Sequence, residues 1–145
     1  MIIGVPKEIK NKENRVSMVV GGVKAFVHAG HKVMIQSGAG LGAGITDQEY
    51  VAAGATIVGD AKEIFAKSEM IVKVKEPLPE EYELLRDGQI LYTYLHLAAD
   101  ERLTKALLDR KIIGIAYETI QPSDGSLPLL APMSAVAGRM ATQIG

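Results

Sequence analysis

Ala29-Gly30-His31-Lys32-Val33-Met34-Ile35-Gln36 decides the fold class. A helical pattern runs into it, because Val20, Val23 and Val27 recur on one helical face with Phe26 beside them. That stripe reads as a packing surface. Gly30 then accepts the left-handed conformation that closes a helix, and an apolar run follows at once. Ala53-Gly54 stands the same way before Thr56-Ile57-Val58. Helix, glycine, strand is the recurring joint of a wound sheet. Outward from these joints the spacing predicts strands over Met1–Val5, Lys32–Gln36, Thr56–Val58, Met70–Val74, Gln89–Tyr94 and Ile112–Tyr117. It predicts helices over Val19–Ala29, Asp47–Ala53, Ala61–Lys67, Glu80–Arg86 and Glu101–Asp109, and from Pro132 onward. Short apolar runs alternating with helices make an α/β fold, a mostly parallel wound sheet with helices on both faces.

The 145 residues suffice for one domain with its own core. With 48% hydrophobic and 23% charged residues, the chain is globular. The net charge of −1 and scattered Lys and Arg give no footprint for nucleic acid or an acidic membrane. There is no cysteine, which excludes disulfides and thiolate metal sites. Met1-Ile2-Ile3-Gly4-Val5-Pro6 lacks the build of a signal peptide, and no apolar run reaches the length of a membrane span. The expectation is a cytoplasmic protein.

Gly38-Ala39-Gly40-Leu41-Gly42-Ala43 follows a predicted strand and matches the dinucleotide pattern G-x-G-x-x-G/A, with Asp60 downstream in the place of the ribose-binding acid. A working fingerprint opens directly into a helix whose N-terminus faces the pyrophosphate. Here the helix start is marked instead by Thr46-Asp47-Gln48-Glu49, a capping box several residues on. The helix from Asp47 is also short for a crossover. The glycines are read as a flexible or ligand-facing loop, not a nucleotide cradle.

Three polar residues follow predicted strands. Arg15 lies in Glu13-Asn14-Arg15-Val16, Lys75 in Lys73-Val74-Lys75-Glu76-Pro77, and His96 in Tyr94-Leu95-His96-Leu97-Ala98-Ala99-Asp100. One edge of a parallel sheet would gather all three, and that edge is where ligands bind. Arginine grips a carboxylate with two parallel hydrogen bonds. Lysine polarises a carbonyl oxygen, and histidine exchanges a proton near neutrality. Together they suit a small 2-oxo or 2-amino acid. A surface arginine, a solvated strand-end lysine and a histidine with a structural hydrogen bond fit the same spacing. His28 and His31 have no metal-ligand spacing. Glu118 and Asp124 read as structural, and Ser126 and Ser134 lack the company of a hydrolase nucleophile.

From Pro132, the apolar residues Met133, Val136, Ala137, Met140 and Ile144 share one helical face that is still running at Gly145. The expectation is the front portion of a longer protein. The alternative is a short terminal helix with Gly145 as its stop.

The chain resembles the N-terminal part of the alanine dehydrogenase and pyridine-nucleotide transhydrogenase family. The resemblance runs from Met1 to Gly145. It rests on Ile3-Gly4-Val5-Pro6-Lys7-Glu8, Glu13–Val16, Gly38–Gly44, Val74-Lys75-Glu76-Pro77, Tyr94–Asp100, Pro132-Met133-Ser134 and Ala137-Gly138-Arg139-Met140. Tyr94–Asp100 points to the alanine dehydrogenase branch. Val19-Val20-Gly21-Gly22 and Asp100-Glu101 depart from the family pattern. The resemblance implies an oxidoreductase that interconverts L-alanine with pyruvate and ammonia using NAD, and a homo-oligomer when complete. Residues 1–131 would be the first segment of the substrate domain. Residues 132–145 would start the helix to a nucleotide-binding domain that holds most of the NAD contacts, so that the 145 residues alone are inactive. It implies that His96 is the general acid/base and that Arg15 and Lys75 bind substrate. Tyr94 and Met133 would be pocket neighbours, and Ser134 would touch NAD. A freestanding 2-oxo acid binding module, a portion of a transhydrogenase α-subunit-like protein, and a chain that only folds or associates are the alternatives.

Overall fold

The structure is a computed structural model and describes residues 1–144; Gly145, the candidate helix stop, lies outside the described residues. Six strands form one sheet: β1 (Ile2–Val5), β2 (Lys32–Gln36), β3 (Thr56–Val58), β4 (Met70–Val72), β5 (Ile90–Thr93) and β6 (Ile113–Ala116). The helices are α1 (Val20–His28), α2 (Asp47–Ala52), α3 (Ala61–Lys67), α4 (Pro79–Tyr82), α5 (Glu101–Asp109) and α6 (Ala131–Ile144). The predicted α/β architecture is the one observed. Gly30 at φ 82° and Gly54 at φ 98° close the turns after α1 and α2 into β2 and β3, a backbone conformation that side chains with a Cβ resist.

Every strand pairing is parallel, and the order across the sheet is β3-β2-β1-β4-β5-β6. The winding reverses between β1 and β4. In such sheets the crevice outside the strand ends at the reversal is where ligands sit. Alternation along the strands sends side chains to two cores. Ile3, Val5, Val33 and Ile35 pack with Val23 of α1 and Tyr50 of α2 on one face. Ile71 and Leu91 pack with Ile64 and Phe65 of α3 and Leu103 and Leu107 of α5 on the other.

The element ends differ from the predicted ones for local reasons. β4 stops at Val72 because the Val74 N–H donates to Glu8 Oε1 (2.6 Å) instead of to a ladder carbonyl. α4 starts at Pro79, which suits the first turn, and lasts one turn. Beyond it the chain bends so that Arg86 reaches the carbonyls of Phe65 (3.2 Å) and Ser68 (2.6 Å) at the end of α3. Past β6, Tyr117–Thr119 tightens into a 3₁₀ turn. α6 runs from Ala131 with Met133, Val136, Met140 and Ile144 exposed. Among the described residues no helix is long and apolar enough to cross a membrane.

Candidate functional site

The loops after β1 and β4 meet at the sheet reversal and are tied by charge. Lys73 Nζ donates to Glu8 Oε2 (3.3 Å) and Glu81 Oε1 (2.9 Å), and all three side chains are buried. Each carboxylate also accepts a backbone N–H: Glu8 from Val74 and Glu81 from Leu78 (2.9 Å). Buried ions are tolerated when every partner is satisfied in this way. Burial pushes the Glu8 carboxyl above its ordinary range, against the pull of Lys73. A second tie runs from Lys10 to Glu76.

On the same loop, Glu13 holds Arg15. Its carboxylate accepts from Arg15 Nε (2.8 Å), Arg15 Nη2 (2.5 Å) and the Arg15 backbone N–H (3.0 Å). The hydrogen bonds from Arg15 hold the Glu13 carboxyl below its ordinary range, with Lys75 adding to the pull. Glu13 occupies the Nε–Nη2 edge of the guanidinium. Among the described residues the Nη1–Nη2 edge has one contact, from Nη1 to Met133 Sδ (3.8 Å). Five N–H groups in a rigid fork make this double use possible.

After β5 the chain behaves differently. Leu95 is buried, but His96 is exposed and adopts the left-handed conformation, φ 49° and ψ 37°. That conformation costs a residue with a Cβ about 1–2 kcal/mol. The His96 ring stacks on Tyr94, with centroids 6.0 Å apart and planes 13° apart. Tyr94 in turn meets Tyr117 edge-on at 4.9 Å and donates its hydroxyl to the Leu129 carbonyl (2.6 Å). Burial pushes the Tyr117 phenol up, helped by Tyr92 and Tyr94.

The site residues expected from the sequence therefore share one sheet edge but not one cavity. Arg15, Tyr94 and Met133 line a mostly apolar cavity of about 580 Å³ with Val72, Tyr92 and Tyr117. His96 lines a neighbouring cavity of about 530 Å³ with Glu118 and Gly114, and the stacked Tyr94–His96 pair links the two. Lys75 is half-buried beside Glu13 and Glu76 and is not among the lining residues of either. Ser134 is exposed on α6 and lines neither.

The glycine loop does not fit a nucleotide. It follows β2 and packs beside the loop after β1, and α2 begins only after the Thr46–Glu49 capping box, which is formed as predicted. Asp47 takes the Gly38 N–H (2.9 Å) and the Ser37 hydroxyl (2.7 Å), and Asp60 caps α3 through the Lys62 N–H (3.0 Å). At Gly42 a Cβ would lie 2.6 Å from the Asn14 carbonyl oxygen. That glycine lets the loop press against the segment that carries Arg15. Among the described residues no group of three His, Asp or Glu is placed to hold a metal ion.

Glu8, Glu13 and Lys73 carry no role in the sequence reading, and Glu118 reads there only as structural. Glu13 stands two residues from Arg15, a spacing open to view. Lys73 and Glu8 lie 65 residues apart, and only the parallel pairing of β1 with β4 brings them together. Glu118 reaches His96 across the β5–β6 pairing in the same way.

Residues 4–137 match the family described as alanine dehydrogenase/PNT, N-terminal domain. A relative named alanine dehydrogenase from Methanococcus maripaludis is 68% identical over 145 residues, which is all of this chain and 39% of that protein. A solved L-alanine dehydrogenase superposes with a TM-score of 0.95 at 54% identity, over 100% of this chain and 40% of the other. A transhydrogenase from Sinorhizobium meliloti is more distant, with a TM-score of 0.78 and 31% identity over 85% of this chain and 36% of the other. The chain thus spans well under half the length of each of these proteins.

Proposed function

The chain belongs to the alanine dehydrogenase/PNT N-terminal domain family, and from that premise we propose that it forms the substrate-binding part of an L-alanine dehydrogenase. The observation that carries this reading is the outer edge of Arg15, which Glu13 leaves uncovered. A guanidinium held by Glu13 on one side presents two N–H donors on the other, beside Met133 and at the mouth of an apolar cavity. A small 2-oxo acid carries a carboxylate for that edge and a short apolar tail for the cavity. Lys75 would face the oxo oxygen and stabilise charge developing there.

His96 would move the proton of the carbinolamine oxygen. As pyruvate and ammonia combine, that oxygen leaves as water and His96 donates the proton; in reverse, His96 accepts it from the attacking water. Such a group contributes typically about 10²–10⁴-fold. Tyr94 would keep the imidazole at the cavity wall, and Met133 would bound the substrate.

NAD, when bound, exchanges a hydride with the α-carbon of the substrate. The glycine loop is shaped for packing and its Gly38 amide is already used. The reading therefore assigns NAD mainly to residues outside 1–145, with Ser134 as a contact from α6. It takes residues 1–131 as the substrate segment and α6 as the start of a connection to a nucleotide-binding domain. It places the complete protein in the cytoplasm as a homo-oligomer.

The test is NADH oxidation with pyruvate and ammonia. Protein expressed from the complete reading frame should consume NADH only when both substrates are present, and residues 1–145 alone should not. Turnover by residues 1–145 would overturn the division of the site. No turnover by the complete protein would overturn the activity.

A further inference from the structure

We infer that Glu118 is the positioning residue for His96: its carboxylate fixes the left-handed backbone from which the imidazole projects. This rests on the reading of His96 as the acid/base. Among the described residues only Lys12, His96 and Lys111 combine a side chain with positive φ. Lys111 closes the turn after α5, with its N–H on the Leu108 carbonyl (3.0 Å), an ordinary helix ending. His96 ends no helix. It follows a strand and opens the 3₁₀ turn Leu97–Ala99, whose Ala99 N–H donates back to the His96 carbonyl (3.0 Å). Something outside the turn must hold that backbone.

Glu118 does so. The consecutive N–H groups of Leu95 and His96 both donate to its Oε1, at 3.0 and 2.8 Å, and Leu95 also approaches Oε2 at 3.4 Å. Successive amides folded round one anion form a concave cradle, and hydrogen bonds to a charged acceptor are the strong kind. Parallel pairing of Thr93 with Ala116 sets Glu118 beside the loop it serves. Leu95 is anchored in the core, so the pull on its neighbour's amide is exerted from a fixed point. The Tyr94 ring supports the imidazole from the cavity side. Backbone and ring are thus held separately, the first by charge and the second by stacking.

In protein from the complete reading frame, Glu118→Ala should raise the hydrogen-exchange rate of the Leu95 and His96 amides at least about tenfold, read on peptides spanning residues 94–97, with peptides from β1 and β2 unchanged. If that variant does not fold, Glu118→Gln, which retains one acceptor oxygen, should show a smaller rise at the same two amides. Unchanged exchange there would overturn the inference. In the pyruvate and ammonia reaction, Glu118→Ala should lower kcat on the order of 10²-fold, as misplacement of a catalytic group does, with the KM for pyruvate little changed. In a His96→Ala background the same substitution should cost nothing further, because residues that act as a unit are not additive. Additive losses would mean that Glu118 supports something other than His96. An absence of turnover by the unaltered protein would remove the acid/base premise, while the exchange measurement would still decide the contact.

Discussion

The two loop pairs at the carboxyl edge of the sheet are built on opposite plans. Between β1 and β4, charge is buried and cross-linked. Lys73 sits between Glu8 and Glu81, and Glu13 grips Arg15 from within the same loop. Between β5 and β6, the corresponding residue is exposed, backbone-strained and held by one carboxylate and one ring. The difference matches two chemical tasks. A group that orients a carboxylate gains from rigidity, because its bonding geometry is narrow. On the proposed reading His96 exchanges protons with water and substrate, and its exposure leaves it open to both. On that reading, one edge of one sheet carries a substrate clamp and a proton carrier.

The comparison breaks most visibly if the clamp is loosened at its centre. Lys73→Met leaves Glu8 and Glu81 as buried carboxylates without their cation, and should cost about 3–5 kcal/mol in urea unfolding. A loss below 1 kcal/mol would show that the knot is not what holds the two loops. Arg15→Lys keeps the charge and removes the fork. The KM for pyruvate should rise about 10- to 100-fold, the loss of a hydrogen bond to a charged group being about 1.5–3 kcal/mol, while kcat changes less. An unchanged KM would remove Arg15 from the substrate.

A smaller effect distinguishes two carboxylates within the clamp. Arg15 holds the Glu13 carboxyl below its ordinary value of 4.5 in the folded chain. Its stabilising contribution is therefore present above the unfolded value and lost as pH falls through the lowered one. Burial raises the Glu8 carboxyl above the same ordinary value. Its contribution is present below the unfolded value and lost as pH rises through the raised one. Tm profiles between about pH 3 and 7 should accordingly respond in opposite senses, the range bracketing the ordinary carboxylate values. Glu13→Gln should flatten the acid-side loss, and Glu8→Gln should remove part of the loss on the neutral side. Parallel responses would contradict the opposite shifts of the two groups.

Much of this architecture is legible in the sequence because it is local. The helix–glycine–strand joints at Gly30 and Gly54, the capping box at Thr46 and the stripe of Val20, Val23 and Val27 all act within a few residues. The glycine loop could be set aside as a nucleotide site for the same reason, since the position of a helix start is a local fact. The strand order is not local. Nothing in β1 itself announces that β4, rather than β3, lies beside it, and the Lys73 knot exists only through that pairing. Arg15, Lys75 and His96 could be placed at strand ends, but the separation of Arg15 and His96 into neighbouring cavities depends on how Tyr94 and Tyr117 pack. Glu118 looked structural because a carboxylate two residues past a strand has no visible partner until β6 pairs with β5.

The most direct measurement of the account is the turnover of His96→Ala in protein from the complete reading frame, assayed in both directions with NAD or NADH. The account predicts that kcat falls about 10²–10⁴-fold in each direction, with the KM for pyruvate retained by Arg15 and Lys75. Turnover near that of the unaltered protein would contradict it.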